Sequence, residues 1–201
     1  CGRSAADYCE VVERLSDEPV DLLEINISCP NVKEGGIAFG QSAKSVEEIT
    51  REVKKYAVQP VIMKLSPNVT DIAVMAKAAE AGGADAVSLI NTLTGMKIDI
   101  HRKAFALANK TGGLSGPAIH PVAVRMVYEA SHAVKVPVIG MGGITDAEGA
   151  IEMMLAGASA VSVGTANFQD VTVTEAVVRG IEEYLLLQGV SDVKEIIGAV
   201  R

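Results

Sequence analysis

Short runs of consecutive apolar residues alternate along this chain with longer segments of helical periodicity, and that alternation limits the fold more than any other feature. The apolar runs occupy 22–27, 61–65, 86–90, 136–140 and 160–163. Apolar residues fill successive positions there instead of every second one. Each run therefore reads as a strand buried on both faces, which implies a parallel sheet. Helical segments fall near 5–15, 45–57, 70–82, 121–134, 146–156 and 173–187. Ser4 with Asp7, and Ser45 with Glu48, have the spacing of N-terminal caps, and 192–200 reads as a short closing helix.

Strand–helix alternation with right-handed crossovers leaves two architectures, an open doubly wound sheet and a barrel. A barrel needs eight units in ~250 residues. This chain has 201 residues, five strand candidates, and a helix where a preceding strand would be expected. We therefore read residues 1–201 as one partial domain, the C-terminal five βα units of a TIM (β/α)8 barrel, with the N-terminal units missing. A complete small α/β domain is the alternative, weakened because no GxGxxG follows an early strand. The stretch 91–117 is too long for an ordinary βα loop and predicts a small hairpin over the barrel mouth.

Composition narrows the function classes. Apolar residues make up 49% and charged residues 21%, enough to fill a core and too apolar for a disordered chain. With aromatics at 3% and no Trp, that core is aliphatic. A net charge of −7 argues against a nucleic-acid groove, and no apolar run approaches the ~20 residues of a spanning helix. Three cysteines, Cys1, Cys9 and Cys29, without CxxC or metal-ligand spacing, point to a reducing, cytoplasmic setting and to no metal site.

In parallel α/β folds ligands bind at the carboxyl ends of the strands. The first run is followed by Asn26-Ile27-Ser28-Cys29-Pro30-Asn31, the second by Lys64-Leu65-Ser66-Pro67-Asn68, the third by Asn91-Thr92. The last two end in Gly140-Met141-Gly142-Gly143 and Gly164-Thr165. Glycines let backbone N–H groups approach an anion, and the next helix adds its positive end, so the last two loops predict a phosphate cradle. Gly112 to Gly116 could extend it. Lys64 ends an apolar strand, where a cation needs an anionic partner unless it snorkels to the rim. Cys29 lies among polar residues at a strand end, whereas Cys1 and Cys9 read as buried hydrophobes. Asn26, Asn31, Asn68 and Asn91 would face one mouth, although Asn68 also reads as a turn cap. His101, His120 and His132 are scattered and receive no role.

Taken in order, Asn26 to Asn31, Lys64 to Asn68, Asn91-Thr92, Gly112 to Pro117, Gly140 to Gly143 and Gly164 to Asn167 resemble class 1 dihydroorotate dehydrogenases, FMN enzymes of pyrimidine synthesis. The loop Val32 to Gly40 is more similar to class 1B, whose members use NAD and work with a separate subunit carrying FAD and a [2Fe-2S] cluster; class 1A homodimers use fumarate. The resemblance implies that Cys29 is the base that takes a proton from C5 of dihydroorotate while hydride leaves C6 for the flavin. It implies substrate contacts for Asn26, Asn31, Asn91 and Thr92. FMN contacts fall to Asn26, Lys64, Ile90, Gly116, Gly142, Gly143, Gly164 and Thr165, the last four at the phosphate. Residues 33–41 match a mobile lid.

The resemblance further implies a homodimer and, for class 1B, the electron-transfer subunit as partner. Two other functions stand beside it: the FMN domain of a dihydropyrimidine dehydrogenase, and an inactive barrel fragment. Family members carry about three more βα units upstream, so the isolated 201-residue chain is expected to bind FMN poorly and turn over little.

Overall fold

The computed structural model describes residues 4–28 and 39–200. Its helices are α1 (Ala5–Ser16), α2 (Ala43–Lys54), α3 (Ile72–Ala81), α4 (His120–Ser131), α5 (Ala147–Leu155) and α6 (Val173–Gln188). Its strands are β1 (Leu23–Asn26), β2 (Val61–Lys64), β3 (Ala86–Leu89), β4 (Leu93–Met96), β5 (Ile98–Asp99), β6 (Ala104–Phe105), β7 (Thr111–Leu114), β8 (Val138–Met141) and β9 (Ala160–Ser162).

β1, β2, β3, β8 and β9 form one parallel sheet in that order. Each new strand lies beside the one before it, without the reversal of order that defines a doubly wound sheet. This sequential winding is the barrel-type connection, so the five expected βα units are present in barrel order.

Side chains alternate across a strand. Leu23, Ile25, Val61, Met63, Val87, Leu89 and Val138 point to the helix-covered face and join one aliphatic core. Burying each such side chain stabilises the fold by about 1.5–3 kcal/mol before entropy is counted. Glu24, Asn26, Lys64 and Ser88 alternate with them and share the opposite face, and the register sets Asn26, Lys64 and Ser88 in one row across three strands. The expectation that every strand is buried on both faces needs correction. It holds for β2 and most of β3, whereas burial alternates along β1 and β8 and β9 is largely uncovered. Among the described residues β1 and β9 are the sheet edges, and only their helix-facing side is covered.

The caps follow local chemistry. Ser4 and Asp7 form a capping box on α1, Asp71 accepts from Val74 N–H at 3.1 Å, and Asp146 accepts from Gly149 N–H at 2.9 Å. Ser45 is no cap: α2 starts at Ala43, whose side chain packs against the core, so Ser45 lies inside the first turn. The closing segment forms only a 3-10 turn, Val193–Ile196, because Ile197 turns to extended backbone. In the long excursion after β3, β4 pairs antiparallel with β7 and β5 with β6, two two-stranded ribbons where one hairpin was expected. No helix among the described residues is long and apolar enough to cross a membrane.

Candidate active site

A cleft opens at the carboxyl ends of the sheet. Its walls come from Lys64 at the end of β2, Ile90 to Thr92 after β3, Ser115 and Gly116 after β7, Gly142 to Thr145 after β8, and Gly164 to Ala166 after β9. Seven of the eight expected cofactor contacts, Lys64, Ile90, Gly116, Gly142, Gly143, Gly164 and Thr165, line this one space together with Asn91 and Thr92. Asn26 joins them indirectly. Cys29 and Asn31 lie outside the described residues.

At the first three strand ends the polar side chains form a network. Asn26 Oδ1 accepts from Ser28 N–H and Ser28 Oγ, both at 3.1 Å, and from Asn91 Nδ2 at 3.2 Å. Asn91 Oδ1 accepts from Thr92 N–H at 2.7 Å, and Tyr8 donates its hydroxyl to the Asn26 carbonyl at 2.8 Å. These bonds spend Asn26 Oδ1 on the protein and leave its Nδ2 without an acceptor among the described residues. Such a free donor suits a carbonyl or carboxylate oxygen of a ligand. Asn68 belongs elsewhere. Its carboxamide donates to Thr92 C=O at 3.0 Å and accepts from Thr94 N–H at 2.8 Å, so it staples the loops after β2 and β3.

Lys64 does have an anionic partner, supplied by the protein. Its Nζ stands 3.5 Å from Glu24 Oε1, with 22% of the side chain exposed. The same carboxylate accepts from Ser88 Oγ at 2.8 Å, and Ser88 is fully buried. Sequence reasoning missed Glu24 and Ser88. The signal was available for Glu24, a charge inside a consecutively apolar run, the same anomaly that singled out Lys64. Ser28, Ser115 and His120 were missed too. Ser115 accepts from Thr165 Oγ1 at 3.1 Å, bridging the loops after β7 and β9, and nothing in its local sequence distinguishes it from a turn serine.

The glycine turns are tight for a stated reason. Gly142 and Gly143 have φ of 129° and 69°, and a Cβ at Gly143 would stand 2.7 Å from the Gly116 carbonyl oxygen. Gly116 and Gly164 have nothing within 4 Å of an added Cβ, so their bare backbone borders open space. No backbone carbonyl among the described residues accepts from the N–H groups of Gly142, Gly143, Gly164 or Thr165. Unmated donors at two adjacent strand ends, with a lysine across the cleft, fit a ligand that carries a phosphate at one end and a polar ring at the other. Gly112 and Gly113 are occupied differently, in the β4–β7 ribbon.

Of the cysteines, Cys9 is described: it is buried, and burial pushes its thiol up, with Glu52 adding to the effect. That is the inert setting expected for it. Among the described residues no cluster of His, Cys, Asp or Glu could hold a metal ion.

The sequence model of the family described as dihydroorotate dehydrogenase matches residues 1–185. The chain belongs to the dihydroorotate dehydrogenase family. Among dihydroorotate dehydrogenases it is 65% identical over 201 residues to the "Dihydroorotate dehydrogenase B (NAD(+)), catalytic subunit" of Lachnoclostridium phytofermentans, covering all of this chain and 67% of that protein. It is 61% identical over 197 residues to the protein of the same name from Alkaliphilus oremlandii, covering 98% of this chain and 65% of that one. The chain thus spans about two thirds of the length of these curated relatives. Its fold matches the crystal structure of DHODH from Eimeria tenella in complex with ferulenol, with a TM-score of 0.81, 24% identity, and coverage of 97% of this chain and 57% of that one.

Proposed function

We propose that this chain, as one FMN-binding unit over residues 1–201, supplies the catalytic centre of a cytoplasmic dihydroorotate dehydrogenase that oxidises dihydroorotate to orotate in pyrimidine synthesis. One observation carries the reading. Lys64, Asn91 with Thr92, and the two glycine turns converge on a single cleft although they come from four different strand ends. The family and the names of its relatives supply the substrate.

Bound FMN would supply the acceptor for the hydride that leaves C6 of dihydroorotate. The remaining work falls to side chains and backbone of this chain. Gly142, Gly143, Gly164 and Thr165 would hold the phosphate through main-chain N–H groups, with Gly116 and Ile90 flanking the flavin. Lys64 would hold negative charge on the flavin side of the cleft, its own position fixed by Glu24. Asn26, Asn31, Asn91 and Thr92 would orient dihydroorotate. Cys29 would take the C5 proton, which requires a thiolate and gives a rising limb of rate with pH.

The relatives are named B-type, NAD-linked catalytic subunits. Those names support a separate partner subunit, and we propose that it carries FAD and a [2Fe-2S] cluster, passes electrons to NAD and works with a homodimer of this protein. The test is anaerobic assay of the full gene product carrying this sequence, with dihydroorotate oxidation set against uracil reduction. Dihydroorotate-dependent dye reduction without uracil turnover is expected. Uracil reduction in its place would make the protein a dihydropyrimidine dehydrogenase.

A further inference from the structure

His120 opens α4 and lies just behind the glycine turn that follows β8. Its side chain is 14% exposed, with Nδ1 2.9 Å from the Gly142 carbonyl oxygen and Nε2 3.1 Å from Glu152 Oε2 on α5. A carbonyl only accepts, so Nδ1 carries a proton and donates. Two glycines also pack against the residue, Gly143 at its Cβ and Gly149 at its ring. A Cβ on Gly143 would stand 2.8 Å from His120 Cβ, and one on Gly149 3.3 Å from Cε1 and Nε2. The imidazole thus bolts the start of α4, the turn and α5 together.

The bond to Gly142 has a consequence on the far side of the same peptide. The Gly142–Gly143 peptide is trans, and in a planar trans peptide C=O and N–H point in opposite directions. Fixing the Gly142 carbonyl toward His120 therefore fixes the Gly143 N–H away from it, and Gly143 lines the cleft. Donation into that carbonyl also polarises the peptide and strengthens its N–H as a donor. Two glycines in succession with positive φ would otherwise leave this peptide plane free to turn.

We infer that His120 is a positioning residue of the phosphate cradle: through Nδ1 it aims the Gly143 N–H at the phosphate of the flavin. The inference rests on the proposed FMN reading and adds to it a residue that touches neither flavin nor substrate. Because it acts only on the phosphate end, its removal separates FMN from riboflavin, which lacks that group.

The test uses two substitutions of similar polarity. In H120N the carboxamide nitrogen falls near the place of Nδ1 and keeps the bond to Gly142. In H120Q it falls near Nε2, keeping the contact with Glu152 and losing Gly142. Each variant of the full gene product, stripped of flavin, is titrated with FMN and with riboflavin by fluorescence quenching, after a thermal melt confirms the fold. H120N is expected to bind FMN within about threefold of the parent, and H120Q about tenfold more weakly, with riboflavin unchanged in both. Equal losses for FMN and riboflavin, an H120Q that binds FMN normally, or an H120N as weak as H120Q would each overturn the role of His120. A parent protein that prefers FMN no more than riboflavin would defeat the cofactor reading itself, and the inference with it.

Discussion

Asn91 donates from Nδ2 to Ser28 Oγ at 2.7 Å, a bond that ties the end of β3 to the residue immediately before Cys29. Ser28 is almost wholly buried, and the same Asn91 nitrogen reaches Asn26 Oδ1. One carboxamide therefore sets the backbone from which the proposed base departs. Asn91→Ala removes the donor to Ser28 Oγ and the acceptor of Thr92 N–H, at about 1–3 kcal/mol. We expect the KM for dihydroorotate to rise about tenfold or more, with the FMN dissociation constant little changed. Steady-state kinetics beside flavin titration measure the two separately.

The glycines of the cradle should divide into two classes. Gly143→Ala places a Cβ 2.7 Å from the Gly116 carbonyl oxygen at a φ of 69°, so both packing and backbone resist it. A loss of about 1–3 kcal/mol in stability is expected, along with loss of FMN. At Gly164 an added Cβ meets nothing within 4 Å. Gly164→Ala should melt near the parent temperature while its methyl group, facing the cleft, weakens FMN binding. Melting curves with and without FMN distinguish the classes.

Glu24 and Lys64 give a prediction with opposite signs. The carboxylate 3.5 Å from Nζ offsets part of the cation's field in the cleft. Glu24→Gln leaves Lys64 less neutralised, so the bound flavin should become easier to reduce and its potential should rise. Lys64→Ala should lower the potential and weaken FMN retention. Equilibrium redox titration against a reference dye reads both shifts.

Asp85 supplies a pH dependence away from the site. Burial opposes its ionisation, but hydrogen bonds from Lys54 Nζ at 2.6 Å and Val61 N–H at 2.7 Å outweigh it and hold the carboxyl below its ordinary range. A folded-state pKa below the unfolded one means stability that is fully present above the unfolded value and lost as pH falls through the folded value. Asp85→Asn should therefore be less stable than the parent at neutral pH, and the gap should close under acid. Urea unfolding at several pH values measures it.

Much of this was legible before any coordinates. The five strands of the parallel sheet and their barrel-type order follow from the apolar runs, which act locally, whereas the roles of the strand-end residues rest on the family resemblance. Lys64 was readable because a charge in an apolar strand demands a partner. The identity of that partner was not, since Glu24 reaches it only through the β1–β2 register. His120 escaped for a similar reason: its two partners, Gly142 and Glu152, lie 22 and 32 residues away, and no spacing in the sequence announces a bond to a backbone carbonyl. The uniform two-sided burial predicted for the strands failed at β1, β8 and β9 because a strand's composition does not say whether its second face will be covered.

The central claim is that a thiol at position 29 removes a proton beside a flavin held in this cleft. Cys29→Ser in the full gene product, loaded with FMN and mixed anaerobically with dihydroorotate, tests it directly. A serine hydroxyl is a far weaker acid than a thiol, so bleaching of the oxidised flavin should slow by several orders of magnitude at neutral pH and recover as pH rises, with FMN still bound. Bleaching at the parent rate across the same pH range would contradict the account.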